Sequence, residues 1–405
     1  MEVTGLELSR TFFRDCVLPI LTTHFPDQRF AAARIGKGSE VLGYDDAMSR
    51  DHDWGPRLSL LLPQDDVEAG VDKAIDSALR SHLPPSVCGY STSFSEPDPN
   101  DNGVQGLAEV GQGDDVNHRV DIHGIEDYIR DTIGVTRVND MAPRDWLVVP
   151  QQRLLAFTAG AVFHDDLPTL ASDGRGEEAE DGSKGALMVA RDALAYFPHD
   201  VWLYLMAANW ARLLQEQHLM GRAGFGPHGS NLGAAVIAGR LVRDCMNLAF
   251  LQARVYAPYA KWFGRAFASL PPPVDGTDLE AELHAVLSVS TWEEREEHLT
   301  TVYSSLAKSH NALGVTAPFS TETTPFFGRP FQVIGHPGED QSGGGDVVGC
   351  FEDAIVGEEV KAWLAKDSSS FRRVMFGSVD TFSDSVDFVE GSVGVRDVLL
   401  DLYST

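Results

Sequence analysis

Two short apolar runs, Phe30 to Ile35 and Leu58 to Leu62, are flanked by glycine or proline and suit strands of a mixed sheet. The chain between them, Gly36 to Pro56, holds a Gly38-Ser39 turn and then Asp51-His52-Asp53, two aspartates separated by one residue. If this triplet enters the second strand, both carboxylates project from one face, because strand side chains alternate with period two. Like charges so placed repel. A divalent cation removes the conflict, and Mg²⁺ suits the pair because it takes oxygen ligands and shares its shell with substrate phosphates. Small residues at Gly38 and Ser39 let backbone amides approach those phosphates closely. Pro56 cannot donate to a sheet ladder, so the metal strand starts late, bulges or lies at an edge. The stretch reads as a metal-dependent phosphate site, against the alternative of surface carboxylates in a turn.

The elements around it follow from periodicity. Leu8 to Phe25 has Phe12, Phe13, Cys16, Val17, Ile20 and Leu21 at helical spacing, which predicts a first helix. Asp65 to Leu83 sets Val67, Val71, Ile75 and Leu79 against a charged face, a crossover helix. Glu96 to Asn117 lacks periodic apolar residues and is rich in Asp, Gly, Pro and Asn, a long loop. Arg119 to Ile122 reads as a further short strand, with a helix from about Ile125. From Trp146 onward the pattern turns helical, which places a boundary near Ala142 to Pro150. Ser172 to Lys184 is an acidic, glycine-containing insertion. Asp200 and Asn231 are candidate caps for two long helices, and Thr291 with Glu294 forms a capping-box pattern for a third that ends before Gly314. Gly335 to Asp346 is a glycine-rich acidic linker. The expected organisation is α+β: residues 1–145 around a mixed sheet, a helical domain over 146–334, and a linker with a small helical extension over 335–405.

The bulk numbers bound the partners. The chain has 405 residues, 43% hydrophobic and 23% charged, as expected of a soluble globular protein with two or three cores. A net charge of −28 argues against a nucleic-acid partner, because a polyanion needs a basic footprint. Cys16, Cys88, Cys245 and Cys350 show neither metal-type nor paired spacing, and reduced thiols are the simplest account. The N-terminus does not read as a signal peptide. No run approaches the ~20 apolar residues of a membrane span. The expectation is a cytoplasmic protein without a membrane partner.

Gly38-Ser39, the further Gly43, Ser49 and the Asp51-x-Asp53 pair together resemble the signature of the polymerase-β-like nucleotidyltransferase superfamily, which includes the aminoglycoside nucleotidyltransferases. The longer wording from Gly38 to Arg57 resembles more specifically a bacterial and fungal branch described as nucleotidyltransferase-like proteins with a C-terminal domain of unknown function. Val162 to Asp166, Gly221-Arg222, Tyr256 to Trp262 and Arg329-Pro330-Phe331 match that branch too, so the resemblance spans most of the chain. It implies a nucleotidyltransferase-like sheet followed by a mainly helical domain, Mg²⁺, and ATP or another nucleoside triphosphate (NTP) as co-substrate. Asp51 and Asp53 are then metal ligands and catalytic, with Asp121 as the third carboxylate on a neighbouring strand. Gly38, Ser39 and Ser49 are then phosphate-binding residues. In the superfamily the serine usually abuts the first aspartate, whereas here Arg50 intervenes.

Further candidates come from the helical half. Arg240, Arg243, Asp244, Asn247 and Arg254 share one stripe of a helix, and in so acidic a chain the stripe either pairs with carboxylates or receives triphosphate. Arg240 and Arg243 are taken as phosphate-binding candidates, with Lys261 in the same role. Glu216, beside His218, matches by position the acidic group that activates the acceptor in some antibiotic nucleotidyltransferases; the alternative is a helix-surface glutamate. Trp202, Tyr204 and Trp210 read as core rather than as a base-stacking platform. His164-Asp165-Asp166 raises a His-Asp metal phosphohydrolase, but His118, His199 and His218 supply no matching set. The leading expectation is transfer of a nucleoside monophosphate to a small-molecule acceptor. The alternatives are a nucleotide-binding regulatory module that no longer catalyses transfer, and an ATP-dependent ligase on the same fold.

Overall fold

The computed structural model describes residues 3–50, 53–101, 103–111, 113–170, 176–177, 184–335, 347–364, 375–381, 383 and 385–403. The architecture is α+β. Thr4 caps a helical run in which α1 (Gly5–Phe12) passes through a π turn (Phe13–Val17) into α2 (Leu18–His24). The apolar positions that the spacing predicts, Phe12, Phe13, Cys16, Val17, Ile20 and Leu21, are all buried. Two strands follow, β1 (Ala31–Arg34) and β2 (Arg57–Leu62), then the crossover helix α3 (Val71–His82). The predicted crossover helix is broken: Gly70, at φ 84°, separates α3 from a short turn of helix at Gln64–Glu68. The strand β3 (Arg119–Gly124) runs directly into α4 (Ile125–Ile133) at the predicted position.

These strands form one sheet with a fourth, β4 (Ala161–Asp165), in the order β3-β2-β1-β4. β1 is antiparallel to both β2 and β4, whereas β2 and β3 are parallel. One face carries Ala32, Leu58, Leu60, Leu62 and Val120 into a core with Phe12, Val17, Ile75 and Leu79. Burying each large side chain there contributes about 1.5–3 kcal/mol. Period-two alternation sends Ala33, Ser59 and Asp121, which are register partners on adjacent strands, to the other face.

The chain divides into two compact units. The first comprises residues 1–141, 153–195 and 393–396, and the second residues 142–152, 196–392 and 397–405. The helical pattern expected from Trp146 onward is therefore interrupted, because Ala161–Asp165 pairs with β1 and draws its neighbours into the first unit. His164 and Asp165 lie on this strand rather than on a helix, which removes the helical phosphohydrolase arrangement. The Asp165 carboxylate accepts from the Met188 N–H, and the Asp166 carboxylate from the Phe30 N–H. Most of the acidic insertion from Ser172 and nearly all of the linker from Gly335 lie outside the described residues.

The second unit is built on α5 (His199–Gly224), α6 (Asn231–Ala253) and α7 (Trp292–Leu313), with α5 and α6 forming its most extensive helix pairing. Trp202, Tyr204 and Trp210 are buried, as the core reading expects. The capping box of Thr291 and Glu294 starts α7, and left-handed Gly314 ends it. The other caps differ from the sequence reading. Ser230 rather than Asn231 caps α6, and the Asp200 carboxylate, inside the first turn of α5, accepts from the Gly357 N–H. Of the expected extension, the described residues 347–364 pack within this unit, with Trp363 on Tyr204 and Phe351 on His310. Among the described residues, no helix is long and apolar enough to cross a membrane.

His310 supplies a measurable consequence of this packing. It is 1% exposed, sits against Trp210, Phe319 and Phe351, and has one ring nitrogen bonded to the Thr316 hydroxyl. Burial pushes its pKa down to about 4. As pH falls below the usual histidine value near 6.5, the unfolded chain takes up a proton that the folded chain refuses, so this group's contribution is lost on acidification. Burial moves Asp380 up to about 6 and Glu296 up to about 7, and these groups act in the opposite direction over much of the same window. The readout is therefore the difference between wild type and His310→Gln in urea unfolding. The stability of the variant relative to wild type is expected to rise by about 3 kcal/mol between pH 7 and pH 4. A difference that does not change with pH would contradict a neutral buried imidazole.

Candidate functional site in the sheet unit

The antiparallel pairing of β1 with β2 and the parallel pairing of β2 with β3 bring three chain segments to one end of the sheet. These are the residues after Arg34, those before Arg57 and those around Arg119. The turn after β1 is shaped by a buried ion pair. The Arg34 Nε donates to the Glu40 carboxylate at 2.9 Å, Nη1 to the Ile35 carbonyl at 2.8 Å and Nη2 to the Lys37 carbonyl at 2.6 Å. Both side chains are nearly excluded from solvent, at 3% and 6% exposure. Gly38 has φ 136°, and a β-carbon there would collide with the Glu40 carboxylate and Arg34 Nη2. Gly38, expected to make room for phosphate, makes room for a guanidinium–carboxylate pair. Ser39 opens a single 3₁₀ turn that ends at left-handed Gly43.

The expected entry of the aspartate pair into the metal strand is not what the structure shows for Asp53. Asp51 and His52 lie outside the described residues. β2 begins only at Arg57, after Pro56, and Asp53 lies ahead of it with left-handed backbone at φ 49°. Proline's missing N–H explains the late start. The Asp53 Oδ1 accepts from Arg119 Nη1 at 3.1 Å and from the Gln105 N–H at 3.2 Å, while its own N–H donates to the Gln105 carbonyl. Ser49 is buried and closes a local turn, exchanging hydrogen bonds with Asp46 through backbone and side chain alike. Arg50 stacks its guanidinium over the Trp54 ring at 4.5 Å and donates to the Val3 carbonyl.

Asp121 sits in register with Ser59 on the neighbouring strand and is partly buried. Among the described residues, no hydrogen bond or ion pair engages its carboxylate. Two functional candidates were missed by the sequence reading: Arg57 and Arg119, register partners that open β2 and β3. Burial, with Arg34 and Arg119 nearby, brings the Arg57 guanidinium down to about 10. Its Nη1 donates to the Asp53 carbonyl at 2.7 Å, and its buried Nε has no partner among the described residues. Three arginines near one sheet end stand out in so acidic a chain. The only sequence signal was that arginine began both apolar runs. Among the described residues, no group of three or more His, Cys, Asp or Glu side chains converges as a ready metal cluster.

The remaining candidates belong to the second unit. Glu216 and Arg240, expected in different roles, form an ion pair with each other. The Lys261 ammonium lies over the Trp262 ring at 4.8 Å. Arg243 lines a cavity of about 50 Å³ and donates to the Asp380 carbonyl at 3.5 Å. Beside it, buried Asp244 accepts from Arg212 Nε at 2.7 Å; burial raises the Asp244 pKa although Arg212 opposes the shift.

Residues 170–263 match a family described as a domain of unknown function, DUF4037. No curated protein and no solved structure matches the chain.

Proposed function

We propose that the protein is a Mg²⁺-dependent nucleotidyltransferase that moves a nucleoside monophosphate from ATP or another NTP to a small-molecule acceptor, in the cytoplasm. The observation that carries this reading is the sheet end itself. There, β-pairing gathers the Gly36–Ser39 turn, the segment of Asp53 and the strand of Asp121. The donor set is compatible with the metal, because Asp121 offers a carboxylate that no hydrogen bond or ion pair engages among the described residues, and hard oxygen ligands are what Mg²⁺ takes. Asp51, Asp53 and Asp121 would hold it. Mg²⁺, when bound, supplies neutralisation of charge on the phosphates. The match to a domain of unknown function over 170–263 is in keeping with the resemblance, whose branch carries such a domain after its sheet.

In this reading the acceptor hydroxyl attacks the α-phosphorus, an O–P bond forms, and the bond to the β-phosphate oxygen breaks. Asp121 takes the hydroxyl proton, and pyrophosphate leaves with the bonding electron pair. Arg57 and Arg119 provide fixed positive charge near the turn that receives the phosphates, where preorganised charge lowers the barrier most. A second reading is favoured by one observation. Asp53 is already engaged by Arg119 and lies outside the strand, which suits a module that binds nucleotide without transfer.

The test is a panel of nucleoside triphosphates with Mg²⁺ and candidate acceptors, followed by pyrophosphate release and by product mass. Pyrophosphate with a mass increase equal to the nucleoside monophosphate, abolished by EDTA, is the expected outcome. Nucleotide binding without pyrophosphate leaves the regulatory reading. A product that lacks the nucleotide identifies a ligase.

A further inference from the structure

The cavity in the helical unit is built differently from a packing defect. Its lining combines apolar Phe197, Leu205 and Leu251 with polar Asn209, Arg243 and Asn247. The Arg212–Asp244 ion pair lines the same space, and Arg243 lies within electrostatic reach of both Asp244 and Asp380. Asp380 lines it too, its carboxylate accepting from the Gln151 N–H and the Ser378 hydroxyl. The Asn209 Oδ1 lines this space, is shut off from solvent, and has no hydrogen-bond partner among the described residues. An acceptor left so costs about 1–3 kcal/mol, so the site is short of one donor. A guanidinium fork, by contrast, offers parallel N–H groups that match a carboxylate.

We propose that this cavity binds a small carboxylic acid bearing a hydroxyl or ammonium donor next to its carboxylate, with Arg243 and Asn247 facing the carboxylate and Asn209 accepting from the neighbouring donor. The size agrees. At roughly 10–15 Å³ for each water-sized group, the space takes about three to five such groups, the bulk of a two- to four-carbon acid. A singly charged carboxylate suits the site better than a phosphate dianion, because Asp244 and Asp380 line the same space. The apolar lining residues Phe197, Leu205 and Leu251 take the carbon skeleton. Asn209, Arg212, Arg243, Asp244 and Asn247 all fall within the segment 170–263 that matches the family of unknown function, so this ligand class belongs to that segment independently of any nucleotide chemistry.

Calorimetric titration of the full chain with glycolate, glycine, acetate and inorganic phosphate tests this. Glycolate or glycine is expected to bind at least about tenfold more tightly than acetate, since a site built to hydrogen-bond a donor rejects the analogue that lacks it. The glycolate and glycine arms separate a hydroxy acid from an amino acid. Asn209→Ala is expected to erase the advantage over acetate while leaving acetate binding in place, and Arg243→Gln to weaken all the acids. Thermal unfolding of each variant reports whether it folds. Should no acid bind at millimolar concentration, the cavity holds water only and the proposal fails. Phosphate binding more tightly than every carboxylate, or acetate equal to glycolate, also overturns it.

Discussion

The double variant Asp51→Asn, Asp53→Asn is expected to lose pyrophosphate release by about 10³-fold or more while staying folded, the scale of removing fixed charge from a transition state. Asparagine keeps the shape of each side chain and removes only its charge. The Asp53–Arg119 pair is partly exposed, at 36% and 19%, so its loss costs at most about 1 kcal/mol of stability. Activity and folding are thus separable, and circular dichroism with urea unfolding shows whether they separate. Asp121→Asn is expected to give a comparable loss from the neighbouring strand, because no hydrogen bond or ion pair engages that carboxylate among the described residues. Arg119→Gln is the informative contrast. If Asp53 served only to anchor Arg119, the Arg119 variant would reproduce the whole effect of changing Asp53. Retention of wild-type turnover by the double variant would remove the transferase reading outright.

Glu40→Ala is expected to destabilise the first unit by about 3–5 kcal/mol, a large part of the stability of an ordinary domain. The magnitude follows from burial. Arg34 is 3% exposed, and without Glu40 its charge has only the Ile35 and Lys37 carbonyls for company. The same guanidinium organises the turn that contains Gly38, so the loss propagates to the proposed phosphate loop. Arg34→Met with Glu40→Leu is expected to recover most of the stability, since exchanging a buried pair for apolar residues of similar size is often neutral. Urea midpoints measure both. A single variant within about 1 kcal/mol of wild type would show that the pair is solvated rather than buried.

The legibility of the fold varied with the range of the interactions concerned. Leu8 to Phe25, Arg119 to Ile122 and the Thr291–Glu294 box were readable because helix periodicity, strand runs and caps are set by residues within a few positions of one another. Caps already failed where two candidates adjoined, as with Ser230 and Asn231. The second unit does begin at Ala142, within the expected boundary, but the unbroken helical pattern expected after Trp146 is interrupted for a longer-range reason: β4 is a short run whose strand partner lies some 130 residues earlier. The site divides the same way. Gly38, Ser39 and Asp121 could be nominated from local wording, whereas Arg57 and Arg119 could not, because their significance depends on parallel pairing across 62 positions.

What the amino-acid order determined alone was the α+β class with the first helix and three of the four sheet strands, the acidic balance and the segment from Gly36 to Arg57 as the place to look. Local spacing and composition suffice for those. Only the tertiary structure decided that Gly38 accommodates an arginine–glutamate pair, that Asp53 leans on Arg119, and that Arg240 is matched to Glu216. Charged side chains are long and select partners by proximity after folding; their pairings follow from strand order and helix packing, which no local pattern encodes.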